Sequence, residues 1–281
     1  MLFAVSLVLL FAGISASEAE TICKAAIWSS RNTFIRHYRN DPAALTTVAF
    51  GRTVISVGSS AYRSREVYGV NDAEDIFSWV DNKWKQVPGK LIHVSVGPAG
   101  VWGVNRANTI FKFQDNAWLP ISGALKQVDA GGDKFLGGVN AQDNIFCLRQ
   151  SCTVSRSSAV SFTPLEGSLK YYSCGPVGCW GVNSGNSIYF RHNVNPTACQ
   201  GNQWQHIEGS LVMIEVGTDG SVYGVNSAGN VYRREGISAK TPIGTSWTQL
   251  DFCATFKHVT YDNGYLWLIN PSGGIYRCAV N

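Results

Sequence analysis

Six asparagines each head one recurring phrase, and each is followed six residues later by an aromatic ring. The pairs are Asn71 with Phe77, Asn105 with Phe111, Asn140 with Phe146, Asn183 with Tyr189, Asn226 with Tyr232 and Asn270 with Tyr276. A side-chain amide donates and accepts hydrogen bonds, and an aromatic ring adds an apolar face. Together they suit a sugar, whose hydroxyls need partners and whose C–H faces stack on rings. Each residue also has a plainer use. Asparagine tolerates the left-handed backbone of tight turns, and aromatics fill cores. Taken singly, every one of these positions reads first as structural. Repetition argues for more, because several similar weak sites on one molecule hold an arrayed ligand by avidity. Carbohydrate surfaces are such arrays.

Catalysis has less to stand on. No GxSxG, HExxH, Walker or GxGxxG segment occurs in a supporting context. Asp129 with Asp133, or Asp251 with Asp262, could be drawn as glycosidase carboxylates, but they fall at different points of the repeat. A catalytic pair needs one asymmetric site, so the chain reads as a binder and not an enzyme. CGPVGC (Cys174 to Cys179) has knuckle spacing, yet no second close Cys/His pair completes a metal set. No cofactor or metal is expected from the residues. The balance of 23 Lys+Arg against 19 Asp+Glu, with no run of like charge, excludes a nucleic-acid footprint.

The elements that position these residues follow from the repeat. Successive asparagines are 34, 35, 43, 43 and 44 residues apart, and Ile or Val precedes each aromatic. A second landmark, WKQVPGKL (Trp84), WLPISGAL (Trp118), FTPLEGSL (Phe162) and WQHIEGSL (Trp204), spaces an aromatic, a glycine and a leucine identically; WTQLDFCA (Trp247) is a worn copy. Each unit thus holds four short strand-like stretches separated by Gly-, Asn- and Ser-bearing turns, with no helical periodicity. Four strands per unit, repeated six times, predict an all-β six-bladed β-propeller over residues 46–281. GVN would end the second strand, the asparagine open the turn, and Ile-aromatic return on the third. The glycine of GVN would let neighbouring blades approach closely.

The last copy ends after its third strand. Thr46–Ala49 is therefore expected to be the outer strand of the sixth blade, closing the ring, with Thr53–Val57 as the first inner strand. Ser59 to Glu66 reads as an insertion in the first repeat. Residues 20–45 read as an N-terminal extension carrying the basic residues Arg31, Arg36, His37 and Arg39. Before it, the apolar run Leu2–Ile14 followed by small residues reads as a signal peptide over 1–19, which implies secretion. At about 13 residues the run is too short to span a bilayer, so no membrane insertion is expected. Eight cysteines then favour disulfides. Cys174–Cys179 would staple a hairpin and Cys147–Cys152 bracket a turn. Cys23–Cys278 would lock the ring, which leaves Cys199–Cys253.

The pattern W-x-x-[IVL]-x-G-x-L followed by VWGVN and I-[FY] resembles the tectonin repeat. GALKQVDAGGD (Gly123), LKYYSCGPVGCWGVN (Leu169) and MIEVGTDGSVYGVNSAGNVY (Met213) resemble fish egg lectins over roughly residues 84–278. The resemblance implies a secreted six-bladed propeller that binds N-acetylglucosamine- or galactose-type sugars and recognises bacterial lipopolysaccharide or peptidoglycan. It also implies agglutination, a role in egg or serum innate immunity, and a bound calcium ion. The candidate sugar contacts are Asn105, Asn140, Asn183 and Asn226, assisted by Arg106 and Asp143 from the same turns. The competing reading is a propeller that grips a protein partner.

Overall fold

The computed structural model describes residues 35–37, 45–57, 60–81, 83–252, 254–262 and 264–280, with side chains from Val67 onward. The strands form six four-stranded antiparallel sheets arranged as a propeller. Blade 1 comprises β2 (Leu45–Val57), β3 (Ser60–Asn71), β4 (Asp75–Val80) and β5 (Lys83–Lys90). Blade 2 comprises β6 (His93–Gly97), β7 (Gly100–Val104), β8 (Thr109–Gln114) and β9 (Ala117–Ala124). Blade 3 follows with β10 (Gln127–Asp129), β11 (Leu136–Val139), β12 (Asn144–Leu148) and β13 (Thr163–Ser168), a short helix α1 (Gln150–Thr153) lying between the last two. Blade 4 is β14 (Tyr171–Gly175), β15 (Gly178–Val182), β16 (Ser187–His192) and β17 (Gln203–Ser210). Blade 5 is β18 (Met213–Val216), β19 (Val222–Val225), β20 (Val231–Glu235) and β21 (Ser246–Gln249). Blade 6 has β22 (His258–Asp262), β23 (Tyr265–Ile269) and β24 (Ile275–Ala279), and borrows β1 (Ile35–His37) as its outer strand.

The ring is closed by an N-terminal strand, but not by the expected one. β1 pairs with β24 (Ile35 opposite Cys278, His37 opposite Tyr276), whereas Thr46–Ala49 lies in β2, the inner strand of blade 1. The register explains the correction. Val48 faces Gly69 and Ala49 faces Tyr68, as Val94 faces Gly103 and Ser95 faces Trp102 in blade 2. TTVAFG is thus a copy of the inner-strand phrase HVSVG. Ser60–Glu66 is no loop insertion either, since the β2–β3 pairing runs unbroken from Gly51–Glu66 out to Val57–Ser60.

Burial falls from axis to rim. The inner strands β6 and β22 are buried along their whole length, while the outer strands β9 and β17 expose most positions. An inner strand must therefore pack on both faces, its polar residues with hydrogen-bond partners across the interfaces, and an outer strand needs only one anchor. The buried apolar residues form six clusters, one at each blade-to-blade interface, including Val67 and Phe77 of blade 1 against Trp267, Ile269 and Ile275 of blade 6. The second-strand aromatics Trp102, Trp180, Tyr223 and Trp267 are almost wholly buried in them.

Inner strands are laced across the interfaces by one repeated position. Ser95 Oγ accepts from Ala130 N–H (2.9 Å), Asp129 Oδ1 from Cys174 N–H (2.8 Å), and Ser173 Oγ from Val216 N–H (3.0 Å), while Thr260 Oγ1 donates to Glu215 (3.3 Å). Close approach of these strands needs glycine at their ends: a Cβ on Gly97 would stand 2.0 Å from the Ala130 carbonyl oxygen. The glycine of GVN has a different job from the one expected. A Cβ on Gly103 would strike Leu91 at 2.4 Å and the His93 carbonyl oxygen at 2.8 Å, so this glycine seats the leucine that leads into its own blade.

Two of the expected disulfides need revision. Cys174 and Cys179 face each other on β14 and β15 and are bonded. Cys147 bonds to Cys199, not to Cys152, and this also removes the Cys199–Cys253 pairing. The reason lies in which interface each side chain faces. Cys147 and Cys199 enter the cluster between blades 3 and 4, whereas Cys152, a free thiol, packs on the cluster between blades 2 and 3. Cys278 is disulfide-bonded, and Cys23 and Cys253 lie outside the described residues.

Gly97→Ala is expected to lower stability by about 2–4 kcal/mol, as backbone cannot yield to the added methyl. Gly185→Ala, where the nearest atom to a Cβ is the Asn183 side-chain oxygen at 3.3 Å, serves as the tolerated control. Thermal melts of both variants test this, and equal transitions would contradict the lacing of the inner strands.

Candidate functional site

All six recurring asparagines open turns between the second and third strands. Each amide oxygen accepts the backbone N–H four residues on: from Asp75 (2.8 Å), Thr109, Asn144, Ser187 and Asn230 (2.9 Å each) and Gly274 (2.7 Å). The residue three after the asparagine takes a left-handed backbone, with φ of 66° at Glu74, 63° at Asn108, 64° at Asp143 and 67° at Asn186, and glycine in the last two copies. This is why that position carries only Glu, Asn, Asp or Gly. Its carbonyl then accepts the N–H of the residue leading into the next blade: Leu91, Leu125, Leu169, Leu211 or Phe256, at 2.9–3.0 Å. Turns and crossing segments therefore share one face. Each crossing segment is thereby tied to the turn of the blade it leaves, and the space between adjacent turns is the candidate groove.

The turn consumes each asparagine's acceptor and leaves its donor. Among the described residues, the amide nitrogens of Asn105, Asn140 and Asn183 make no hydrogen bond within the protein, and each of these residues is half-buried. Asn226 Nδ2 lies 3.4 Å from the hydroxyl of Tyr232, which itself donates to Gln249 at 2.9 Å. In blade 5 the six-residue spacing thus places amide and aromatic side by side, one on the turn and one on the returning strand.

Arg106 and Asp143 each hold an ion partner on this face. Arg106 reaches back to pair with Glu74 on the blade 1 turn, and Asp143 pairs with Lys126. Asn140 and Asp143 share the blade 3 turn and Asn183 stands on the blade 4 turn, with Lys170 near Asp143 and bonded to Asn186 between them, while Asn105 and Asn226 stand on other turns. Sequence reasoning missed Lys126, Lys170 and Asn186. Lys170 donates to Asn186, and burial lowers its pKa, with Asp143 opposing and Lys126 adding to that shift. The signal was present: a lysine follows the leading apolar residue at Lys126, Lys170 and Lys257.

A second concavity lies on the axis, lined by His93, Ser95, Asp129, Tyr171, Glu215 and His258. It has no room for a water molecule, so it is a plug and not a sugar site. Tyr171 donates to Glu215 (3.4 Å), and His93 Nε2 stands 3.0 Å from the Val128 carbonyl oxygen; both ring nitrogens of His258 lack a partner. Among the described residues, no three His, Cys, Asp or Glu side chains are grouped to hold a metal ion.

The tectonin domain family matches residues 53–271. The chain is 46% identical over 220 residues to the fish-egg lectin of Cyprinus carpio, an alignment covering 77% of this chain and 92% of that lectin. Among solved structures it is similar to virginiamycin B lyase from Staphylococcus aureus (TM-score 0.54, 12% identity, 88% of this chain and 99% of that one). YCF48 from Cyanidioschyzon merolae is similar to the same degree (TM-score 0.52, 11% identity, 88% and 99%). At such identities these two likenesses show the fold alone.

The axial plug has a pH signature. Burial holds His93 down at about 4 and His258 at about 3, from 6.5, and lifts Asp129 to about 7 from 3.8 and Glu215 well above its usual range. Below pH 6.5 the unfolded chain takes up protons that the folded imidazoles refuse, so their share of stability falls on acidification. Above 3.8 the unfolded chain releases the proton that folded Asp129 keeps, so its share falls as pH rises. The two trends oppose between about pH 4 and pH 6.5, and single substitutions should separate them. The Tm of His258→Leu should gain on the parent as pH drops through that window, and that of Asp129→Asn should gain as pH rises. Parallel pH profiles for all three proteins would contradict this.

Proposed function

The chain belongs to the tectonin family, and we propose that it is a secreted, multivalent carbohydrate-binding lectin. Its sugars are of the N-acetylglucosamine or galactose type, displayed on bacterial lipopolysaccharide or peptidoglycan. Its role is recognition and agglutination in egg or serum innate immunity. The observation that carries the reading is the repeated turn: one face offers the same half-buried amide in successive blades, with its donor unspent at Asn105, Asn140 and Asn183. That arrangement supports sugar binding, and the 46% identity to a fish-egg lectin supports the same class. The apolar leader and the disulfides support export. Among the described residues no helix is long and apolar enough to cross a membrane. The protein-partner alternative has less behind it. Among the described residues only Val80 and Val154 are exposed large hydrophobics, which gives a partner little to bury.

Each site is weak. A shallow groove offers few hydrogen bonds and water competes for all of them, so firm attachment needs several sites on one surface. Catalysis is not proposed.

The turn geometry supplies a clean test. Asn→Asp keeps the oxygen that caps the turn and deletes the amide donor, whereas Asn→Ala deletes both. The quadruple Asn→Asp variant at 105, 140, 183 and 226 should keep a cooperative melting transition yet lose agglutination and N-acetylglucosamine binding. Each single Asn→Ala should cost about 1 kcal/mol of stability. A folded quadruple variant that agglutinates normally would place the sugar sites elsewhere.

A further inference from the structure

At blades 1 and 2 the cations Lys90 and Arg106 each have a carboxylate of their own, and the blade 1 turn carries a further acid, Asp72. Lys90 pairs with Asp75 at 2.7 Å, and Arg106 pairs with Glu74. Between blades 3 and 4 the matching fails. Lys126 pairs with Asp143, and Lys170, close enough to feel both of them, gives its hydrogen bond to the neutral amide of Asn186. Two ammonium groups thus share one carboxylate. The blade 4 turn, Asn183-Ser-Gly-Asn-Ser187, contributes no acid. Lys170 is half-buried on the crossing segment, its backbone N–H held by the Val182 carbonyl at 2.8 Å, so its ammonium is positioned before any ligand arrives.

We propose that the groove between the turns of blades 3 and 4 selects an acidic sugar, with Lys170 meeting the carboxylate or phosphate and the neighbouring asparagine amides meeting the hydroxyls. The proposal rests on the reading of this face as a sugar-binding surface and adds the charge of the ligand at one groove. A neutral sugar would leave the surplus positive charge to solvent. An acidic sugar would complete a two-to-two arrangement of ammonium groups and anions. Because the groove is open to water and salt, the gain is modest and confined to low ionic strength.

Heteronuclear NMR titration of the isotope-labelled chain resolves this groove from the others by following the backbone amides of Asn140 to Asn144 and Asn183 to Ser187. The probes are N-acetylglucosamine, N-acetylglucosamine 6-phosphate and N-acetylmuramic acid, the last two separating phosphate from carboxylate. At about 50 mM salt one or both acidic sugars should bind here about 3-fold more tightly than the neutral one, and at about 500 mM the difference should vanish. Lys170→Gln should abolish the preference, so that the acidic sugars bind no more tightly than N-acetylglucosamine. Asp143→Asn, which adds to the surplus charge, should enlarge the preference. Neutral and acidic sugars binding equally at low salt, or a preference that survives Lys170→Gln, would overturn the proposal while the lectin reading stands. If none of the three sugars perturbs any turn on this face, the lectin reading falls, and the proposal with it.

Discussion

A four-stranded sheet whose inner strands are buried on both faces has nowhere to put them except against another such sheet, and in this molecule that requirement governs everything else. Each of the six interfaces has its own apolar cluster, so no blade is a terminal one and the ring has to close. Closure by β1 follows: without it β24 would present an open edge, and the outermost blade would be one strand short. The lacing of inner strands through Ser95, Asp129, Ser173 and Glu215 joins consecutive blades from the second to the sixth. It also explains why buried acids persist at the axis, where each carboxylate accepts hydrogen bonds that an apolar residue would leave unmade.

The turn face is a by-product of the same geometry. Its asparagines are kept in place by the demands of a left-handed turn, and the proposed binding surface would use what the turn does not. The proposed and structural roles of Asn105, Asn140 and Asn183 are therefore not rivals, since they would draw on opposite ends of one amide. Such economy limits what the site can become. Any substitution that improved the donor at the expense of the oxygen would loosen the turn, and with it the contact to the crossing segment.

The repeat and its four-strand content were legible because the positions that define them, Val before Asn and Ile before the aromatic, lie in the fully buried part of each blade, where little variation is tolerated. Errors came where a local signal competed with a spatial one. Blade 1 was misphased because its outer-strand tryptophan copy is distant in sequence from the strand that completes the ring, and TTVAFG carries no aromatic landmark of its own. Cys147 and Cys152 are five residues apart but face different interfaces, something spacing along a chain does not reveal. Lys126 and Lys170 stood in plain view, yet a lysine after a buried leucine looks like a solvated surface residue until the turn beside it is known.

The repeat as written in the chain is out of step with the blade by one strand. It opens on the aromatic outer strand, crosses through the leucine, and ends on the Ile-aromatic strand of the following blade, so each copy spans an interface instead of filling a sheet. The backbone itself staples every neighbouring pair of blades, and only at the seam between β24 and β1 does hydrogen bonding take over from the covalent chain. A duplicated copy would therefore arrive with its crossing segment already in place and could lengthen the array without disturbing that seam. Growth of such an array by whole-copy duplication is chemically easier than growth by whole blades, and the registration of its grooves is inherited along with each copy.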